Sequence, residues 1–157
     1  MSKICCFTGH RRMSSLSAIE IETRLKNKLI YLIENEDFCD FRAGGAKGFD
    51  SFAALTVLEL KRQYPHIKLH LVLPCKGQDK YFTPLEKQIY KFTLHNANSV
   101  SYVQERYSDG VMFARNRALV DGADLCIAYL EKLEGGTYQT VKYARKQGVK
   151  TLNILRI

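Results

Sequence analysis

Three short glycine-bearing stretches hold most of the residues in this chain that could do chemistry. They are Gly9-His10-Arg11 after Thr8, Gly44-Gly45-Ala46-Lys47-Gly48-Phe49-Asp50 after Ala43, and Gly135-Gly136-Thr137 after Glu134. Glycine lets the backbone approach a ligand closely. Where such a turn opens a helix, the first free N–H groups and the positive end of the helix dipole face whatever lies there, and an anion fits best. Arg11 and Arg115 are the candidates to pair with that anion, because a guanidinium grips an oxyanion through two parallel hydrogen bonds. His10 is a further donor, or a structural residue beside a strand end. Asp50 suits a ribose hydroxyl but, at a helix start, fits an N-cap better; Thr137 and Thr140 are hydroxyl donors or caps in the same way. Asp121 and Asp124 read as turn residues. One glycine pair alone is ordinary turn punctuation; three in a small sheet point to a site.

These residues need elements to position them. The segment 124–155 gives the clearest unit: an apolar run at 125–130, the glycine turn, a helix-permissive stretch at 137–147 closed by Gly148 as a left-handed cap, and a second apolar run at 149–155. Its length is that of a right-handed parallel crossover. Residues 4–8, 38–43, 67–73 and 99–103 read as four further strands. The third of these is nearly continuous in apolar character, which predicts cover on both faces. A helix ending near Asn35 is announced by the Ser17/Glu20 capping box, a Leu16–Ile21 staple, and Ile21, Leu25, Leu29, Leu32 and Ile33 at helical spacing. Another follows Asp50 and is stopped by Pro65. A third runs over 84–96 behind Thr83-Pro84-Leu85-Glu86, after a polar loop at 75–82. A fourth covers 110–122, with Arg115, Asn116 and Arg117 in its middle. The alternation predicts a Rossmann-like open, mostly parallel sheet with helices on both faces, a three-layer α/β/α domain over residues 1–157. In such sheets ligands lie outside the carboxyl ends of the strands, the edge from which all three glycine turns depart.

With 46% hydrophobic and 25% charged residues the composition is that of an ordinary globular protein, and no apolar run approaches a membrane span. The start shows no signal-peptide core, so a cytoplasmic location is expected. The five cysteines are odd in number and lack zinc-ligand spacing, which predicts reduced core residues. Cys75, after Pro74, is a remote candidate nucleophile without an identifiable base. The formal charge of +8 favours anionic partners without separating nucleotide from nucleic acid. Lys142, Arg145, Lys146, Lys150 and Arg156 supply much of the excess, as a solvated basic face or a binding one.

Neither G-x-G-x-x-G with a distal ribose-binding acid nor GxxxxGK[ST] is present, which argues against a standard dinucleotide enzyme or P-loop NTPase. The motifs nevertheless form a pattern: Cys6-Phe7-Thr8-Gly9-His10-Arg11; Gly44-Gly45-Ala46 with Gly48-Phe49-Asp50 and Ala53-Ala54; Arg115-Asn116 with Leu119-Val120-Asp121 and Ala123-Asp124; Gly135-Gly136-Thr137 with Thr140. In this order they resemble the YpsA-like branch of the SLOG superfamily across essentially the whole chain. The resemblance implies a Rossmann-like fold related to DprA and to the LOG phosphoribohydrolases, and a ligand set of Thr8, Gly9, His10, Arg11, Gly44, Gly45, Ala46, Gly48, Asp50, Arg115, Asn116, Gly135, Gly136, Thr137 and Thr140. LOG enzymes carry a motif like P-G-G-x-G-T-x-x-E, whose Glu serves base removal. Here the turn reads E-G-G-T-Y-Q-T-V-K, with Lys142 near the place of that acid.

Binding or sensing of a nucleotide or nucleotide-derived ligand, ADP-ribose-like, NAD-like or a mononucleotide, is therefore expected ahead of catalysis, with no catalytic residue, metal or required cofactor assigned. The resemblance adds stress or defence signalling as a setting. A LOG-like nucleoside 5′-monophosphate phosphoribohydrolase is the alternative. A DprA-like single-stranded nucleic-acid binder ranks third, since Tyr81, Tyr90, Phe92, Tyr102 and Tyr107 form no obvious stacking row. No membrane partner is expected. The apolar residues around Phe113 fit either a core position or a homodimer contact.

Overall fold

Six strands line up in parallel because each apolar run is followed by a helix long enough to carry the chain back to the starting edge. The computed structural model describes residues 2–157. Strands β1 (Lys3–Gly9), β2 (Phe38–Ala43), β3 (Lys68–Leu73), β4 (Ser99–Tyr102), β5 (Leu125–Tyr129) and β6 (Lys150–Asn153) form one sheet in the order β4-β3-β2-β1-β5-β6. Every neighbouring pair is parallel. Helices α1 (Ala18–Asn35), α2 (Phe49–Lys61) and α3 (Pro84–Asn96) accompany the outward march from β1 to β4. The chain then returns past β1, and α4 (Val111–Val120) and α5 (Gly135–Lys146) lie on the opposite face, as right-handed crossovers in the reversed direction require. The reversal falls between β1 and β5, where a crevice opens at the carboxyl edge.

The core is divided by the sheet. Phe7, Phe41, Phe49, Leu69, Leu71 and Leu73 pack under the first three helices with the buried stripe Ile21, Leu25, Leu29 of α1, each such side chain worth about 2 kcal/mol of burial. A smaller cluster of Cys6, Leu119, Val120, Cys126 and Ala144 lies under α4 and α5. All five cysteines are free thiols, four buried and Cys39 half-buried. A hydrogen bond with Cys126 and burial push the Cys6 thiol up, away from reactivity.

Capping boxes at Ser17/Glu20 and Thr83/Glu86 open α1 and α3, as expected from the sequence. Gly148 closes the α5 segment with φ of 76°. Other boundaries shift. Helix α2 ends at Lys61, short of Pro65, and α5 begins at Gly135 rather than 137, so both glycines belong to its first turn. Strand β6 stops at Asn153, whose side chain accepts from the Leu155 N–H and starts a 3₁₀ turn at Ile154–Arg156. Strand β3 is not covered on both faces. Leu69, Leu71 and Leu73 are buried, whereas His70 and Val72 are half-buried. On that open face His70 bridges Asp40 Oδ1 at 2.7 Å and Ser99 Oγ at 2.6 Å, a polar link across three strands. Strand β4 is exposed along its whole length. Among the described residues no helix is long and apolar enough to cross a membrane.

Candidate functional site

The chain places its three glycine turns on adjacent strands, β2, β1 and β5, at one edge of the sheet. Between them lies a cavity of about 420 Å³ lined by Thr8, Gly9, His10, Arg11, Ala46, Asp50, Met112, Arg115, Asn116, Gly136 and Thr137. Ten of the fifteen residues expected at a ligand site thus share one space. The other five do not line it. Gly44 and Gly45 are buried beneath the wall. Gly48 packs against the Arg11 backbone, where a Cβ would come within 2.4 Å of the carbonyl oxygen. Gly135 stands one position outside, and the Thr140 hydroxyl donates back to the Gly136 carbonyl and faces the α4–α5 groove. Met112, with no polar atom to announce it, was not legible as a lining residue.

Arg115 holds the floor together. It lies on the inward face of α4 with Val111 and Leu119, at i ± 4 spacing, and is only 5% exposed. Its Nη1 donates to the Gly44 carbonyl and to Gln78 Oε1 at 3.3 Å, and its Nε to Asn116 Oδ1 at 2.9 Å. Nη2 meets only the Met112 thioether, at 3.9 Å, a weak acceptor that leaves this edge of the guanidinium able to take a better one. Arg42, from β2, grips the far end of the same helix, donating to the Leu119 carbonyl at 3.1 Å and the Asp121 carbonyl at 2.6 Å, where a cation also complements the dipole.

Asp50 is not an N-cap. Gly48 occupies that position without a side-chain bond, and Asp50 sits buried in the first turn of α2. Burial pushes its carboxyl up to about 6, against the opposing pull of the Arg115 charge and of the Ala46 backbone N–H. Burial likewise lowers Arg115, and the Asp50 charge opposes this. The two groups flank the Gly44 Cα, so an added Cβ there would meet Arg115 Nη1 at 2.8 Å and Asp50 Oδ2 at 2.9 Å.

His10 has a structural task. Its Nε2 accepts the backbone N–H groups of Glu131 at 2.9 Å and Lys132 at 3.3 Å. Burial lowers its pKa, which suits the neutral ring that this acceptor role demands and leaves Nδ1 as the donor. Glu131 pins the same loop by accepting from the Ser14 N–H at 3.1 Å and from the Ser14 and Ser15 hydroxyls. Partial burial would raise its carboxyl, but the Ser15 and Ser14 hydrogen bonds dominate and hold it at about 2. Arg11 is exposed on this loop at the cavity mouth.

The helix starts differ in what already fills them. Capping boxes occupy the N-termini of α1 and α3. In α2 the Phe49 N–H donates to the His10 carbonyl at 3.2 Å, and Asp50 supplies negative charge. Helix α5 has no side-chain cap and no acid in its first turn. Asp121 and Asp124 lie away from the cavity, accepting from the Tyr143 hydroxyl at 2.6 Å and the Ile4 N–H at 2.8 Å. Phe113 is 56% exposed on α4, which excludes the core position. Among the described residues no group of three or more His, Cys, Asp or Glu side chains is arranged to hold a metal.

A second cavity of about 810 Å³ adjoins the first and shares Arg11, Ala46 and Met112 with it. Its remaining wall comes from Lys47, from the 75–82 loop and from Tyr107. Tyr81 and Tyr107, which form no stacking row in the sequence, thus border one space.

Compared with known proteins, residues 5–156 match the YpsA family model, described as the YspA SLOG family. The SPbeta prophage-derived protein YoqJ of Bacillus subtilis is 32% identical over 139 residues, covering 78% of this chain and 81% of that protein. A UPF0398 protein of Brevibacillus brevis is 28% identical over 130 residues, covering 81% and 69%. Among solved structures, DNA processing protein A (DprA) from Streptococcus pneumoniae superposes with a TM-score of 0.69 at 20% identity, over 96% of this chain and 49% of that one. DprA from Helicobacter pylori, whose structure is described in terms of a single-stranded DNA binding mode, gives 0.66 at 22% identity over 95% and 63%. The chain therefore spans about half to under two thirds of these DprA proteins, with which it shares the fold. With a match running from the first strand to the last turn, the chain belongs to the YpsA family of SLOG proteins.

Proposed function

We propose that this protein binds the phosphate of a nucleotide or nucleotide-derived small molecule in the cavity between β1 and β5. One juxtaposition carries the reading: the uncapped first turn of α5 and the deeply buried Arg115 border the same 420 Å³ space. The N–H groups of Gly136 and Thr137 open a turn that holds no acid and that the N-cap Glu134 leaves without a side-chain bond, and the Nη2 edge of Arg115 meets only the Met112 thioether. Asp50, beside Arg115 next to Gly44, accepts from hydroxyl groups, which suits a ribose hydroxyl adjoining the phosphate. Calorimetry with AMP, ADP-ribose, NAD and cyclic nucleotides tests this. Binding to at least one tighter than millimolar, weakened about tenfold by Gly136→Ala, is expected; no binding to any of them removes the reading. Arg115→Ala is a poor probe, because stripping the partner from a buried ionic group costs about 3–5 kcal/mol and would unfold the floor with the site.

Catalysis is not part of the proposal. The α5 motif presents Lys142, exposed and 5.2 Å over the Tyr138 ring, where a LOG enzyme has its acid. Incubation with AMP followed by chromatography is expected to show no free adenine; its release would reinstate base hydrolysis with Asp50 as the available carboxyl.

A second reading, single-stranded nucleic acid, is favoured by a groove between α4 and α5 where Arg117, Lys142 and Lys146 accompany Phe113 and Tyr143. Three phosphate contacts there predict a slope of about −2 for log affinity against log salt. A flat salt response of oligonucleotide binding, or loss of binding with AMP in excess, excludes this groove.

A further inference from the structure

We infer that the 810 Å³ cavity is a nucleobase-accepting lobe continuous with the phosphate end, so that the ligand is a nucleotide bound by its ring as well as by its charge. The inference rests on the phosphate reading of the smaller cavity and adds what that reading leaves open. Three observations carry it. The two cavities share Arg11, Ala46 and Met112, so one molecule can occupy both. Their chemistry differs in that the smaller is walled by hydroxyls, backbone and the Asp50 and Arg115 groups, whereas the larger adds the rings of Tyr81, Phe82 and Tyr107 together with Lys47, Lys76 and Lys80.

The third observation is that two of the three rings on this wall, Tyr81 and Tyr107, are left largely exposed. Tyr81 is 85% and Tyr107 66% exposed, an unfavourable arrangement for two large rings unless a partner covers them. The loops bearing them are nevertheless fixed. Phe82 packs edge-on against Tyr90 at 5.7 Å, the Lys76 N–H donates to the Glu105 carbonyl at 3.3 Å, and the Lys76 ammonium pairs with Glu105 at 2.9 Å. Gln78 ties the same loop to the phosphate end, donating to the Gly44 carbonyl at 3.3 Å while accepting from Arg115. A planar heterocycle presents a π face that either tyrosine can stack on, and sequence-tolerant stacking of this kind is the usual way proteins hold unpaired bases. The ammonium group of Lys80, 5.4 Å over the Tyr81 ring, adds positive charge at the entrance for a phosphorylated ligand.

The test compares ligands that differ only by the base. AMP, GMP and CMP are titrated against ribose 5-phosphate, with the parent protein and with a Tyr81→Ala/Tyr107→Ala double variant, whose folding is checked by its melting curve. At least one nucleotide is expected to bind the parent ten- to a hundredfold more tightly than ribose 5-phosphate. The double variant should lose that margin and keep its affinity for ribose 5-phosphate. Equal affinities in the parent, or a margin untouched by the double substitution, overturn the lobe and leave the phosphate cradle standing. Failure of all four compounds to bind overturns the cradle and the lobe together.

Discussion

Helices α2 and α5 both start at glycines on the same sheet edge, yet their first turns are built to opposite ends. At α2, Gly48 has φ of 85° and a Cβ there would strike the Arg11 backbone. A Cβ on Gly9 would lie 2.5 Å from Phe49, and Asp50 provides the negative charge. This glycine cluster is required by the protein's own packing. At α5, nothing lies within 4 Å of a Cβ on Gly135, only Asn116 Nδ2 at 4.0 Å from one on Gly136, and the first turn holds no acid, while the N-cap Glu134 makes no side-chain capping bond. Glycine there serves no internal contact. Equivalent sequence signals thus separate into one turn closed by the fold and one left open, and the open one borders the cavity.

The largest expected effect breaks the packed side of this contrast. Gly48→Ala combines a conformation that side chains rarely adopt with a backbone collision and should cost about 3 kcal/mol or more in urea unfolding. A cost near zero would mean the α2 turn is no more closed than α5. Next comes Asp50. Its folded value of about 6 exceeds the unfolded 3.8, so the folded state holds the proton longer. The Asp50 contribution to stability is therefore fully present below about pH 4 and is lost as pH rises through 6, by roughly 3 kcal/mol in total. Asp50→Asn should flatten that limb of the pH–stability curve. A third experiment sharpens the open side: Gly136→Ala should leave unfolding unchanged or raise stability by about 0.5 kcal/mol, because alanine is the better helix residue, while weakening AMP binding about tenfold. Gly135→Ala should cost about 1 kcal/mol from its φ of 85° alone. The smallest effect belongs to Glu131→Gln. This half-buried anchor of the 10–17 loop has a depressed carboxyl, so its contribution is present above about pH 4.5 and fades as pH falls towards 2, and solvent screening keeps it below about 1 kcal/mol.

The sequence carried the layered fold because apolar runs, capping boxes and helical spacing are local signals. Ser17/Glu20, Thr83/Glu86 and the stripe from Ile21 to Ile33 appear in the structure as the spacing requires. The gathering of Thr8, Asp50, Arg115 and Gly136 followed from the same alternation, since in a parallel sheet every strand-to-helix turn emerges at one edge. What local signals lack is the strand order. Without it, the polar side of β3 read as covered, Asp50 read as a cap, and Tyr81 and Tyr107, 26 positions apart, gave no sign of sharing a wall. Glu131 was silent too, because its partners Ser14 and Ser15 arrive from the other end of the chain.

One consequence follows from the two arginines around α4. Arg115 fastens the helix to the carbonyl that ends β2, and Arg42, reaching out from β2 itself, clasps its last turn. A beam riveted at its middle and at one end to the same girder resists both sliding and tilting. Whatever accommodation a guest molecule demands must therefore be absorbed by exposed side chains at the mouth, Arg11, Tyr81 and Tyr107 among them, while the wall bearing Arg115 stays put.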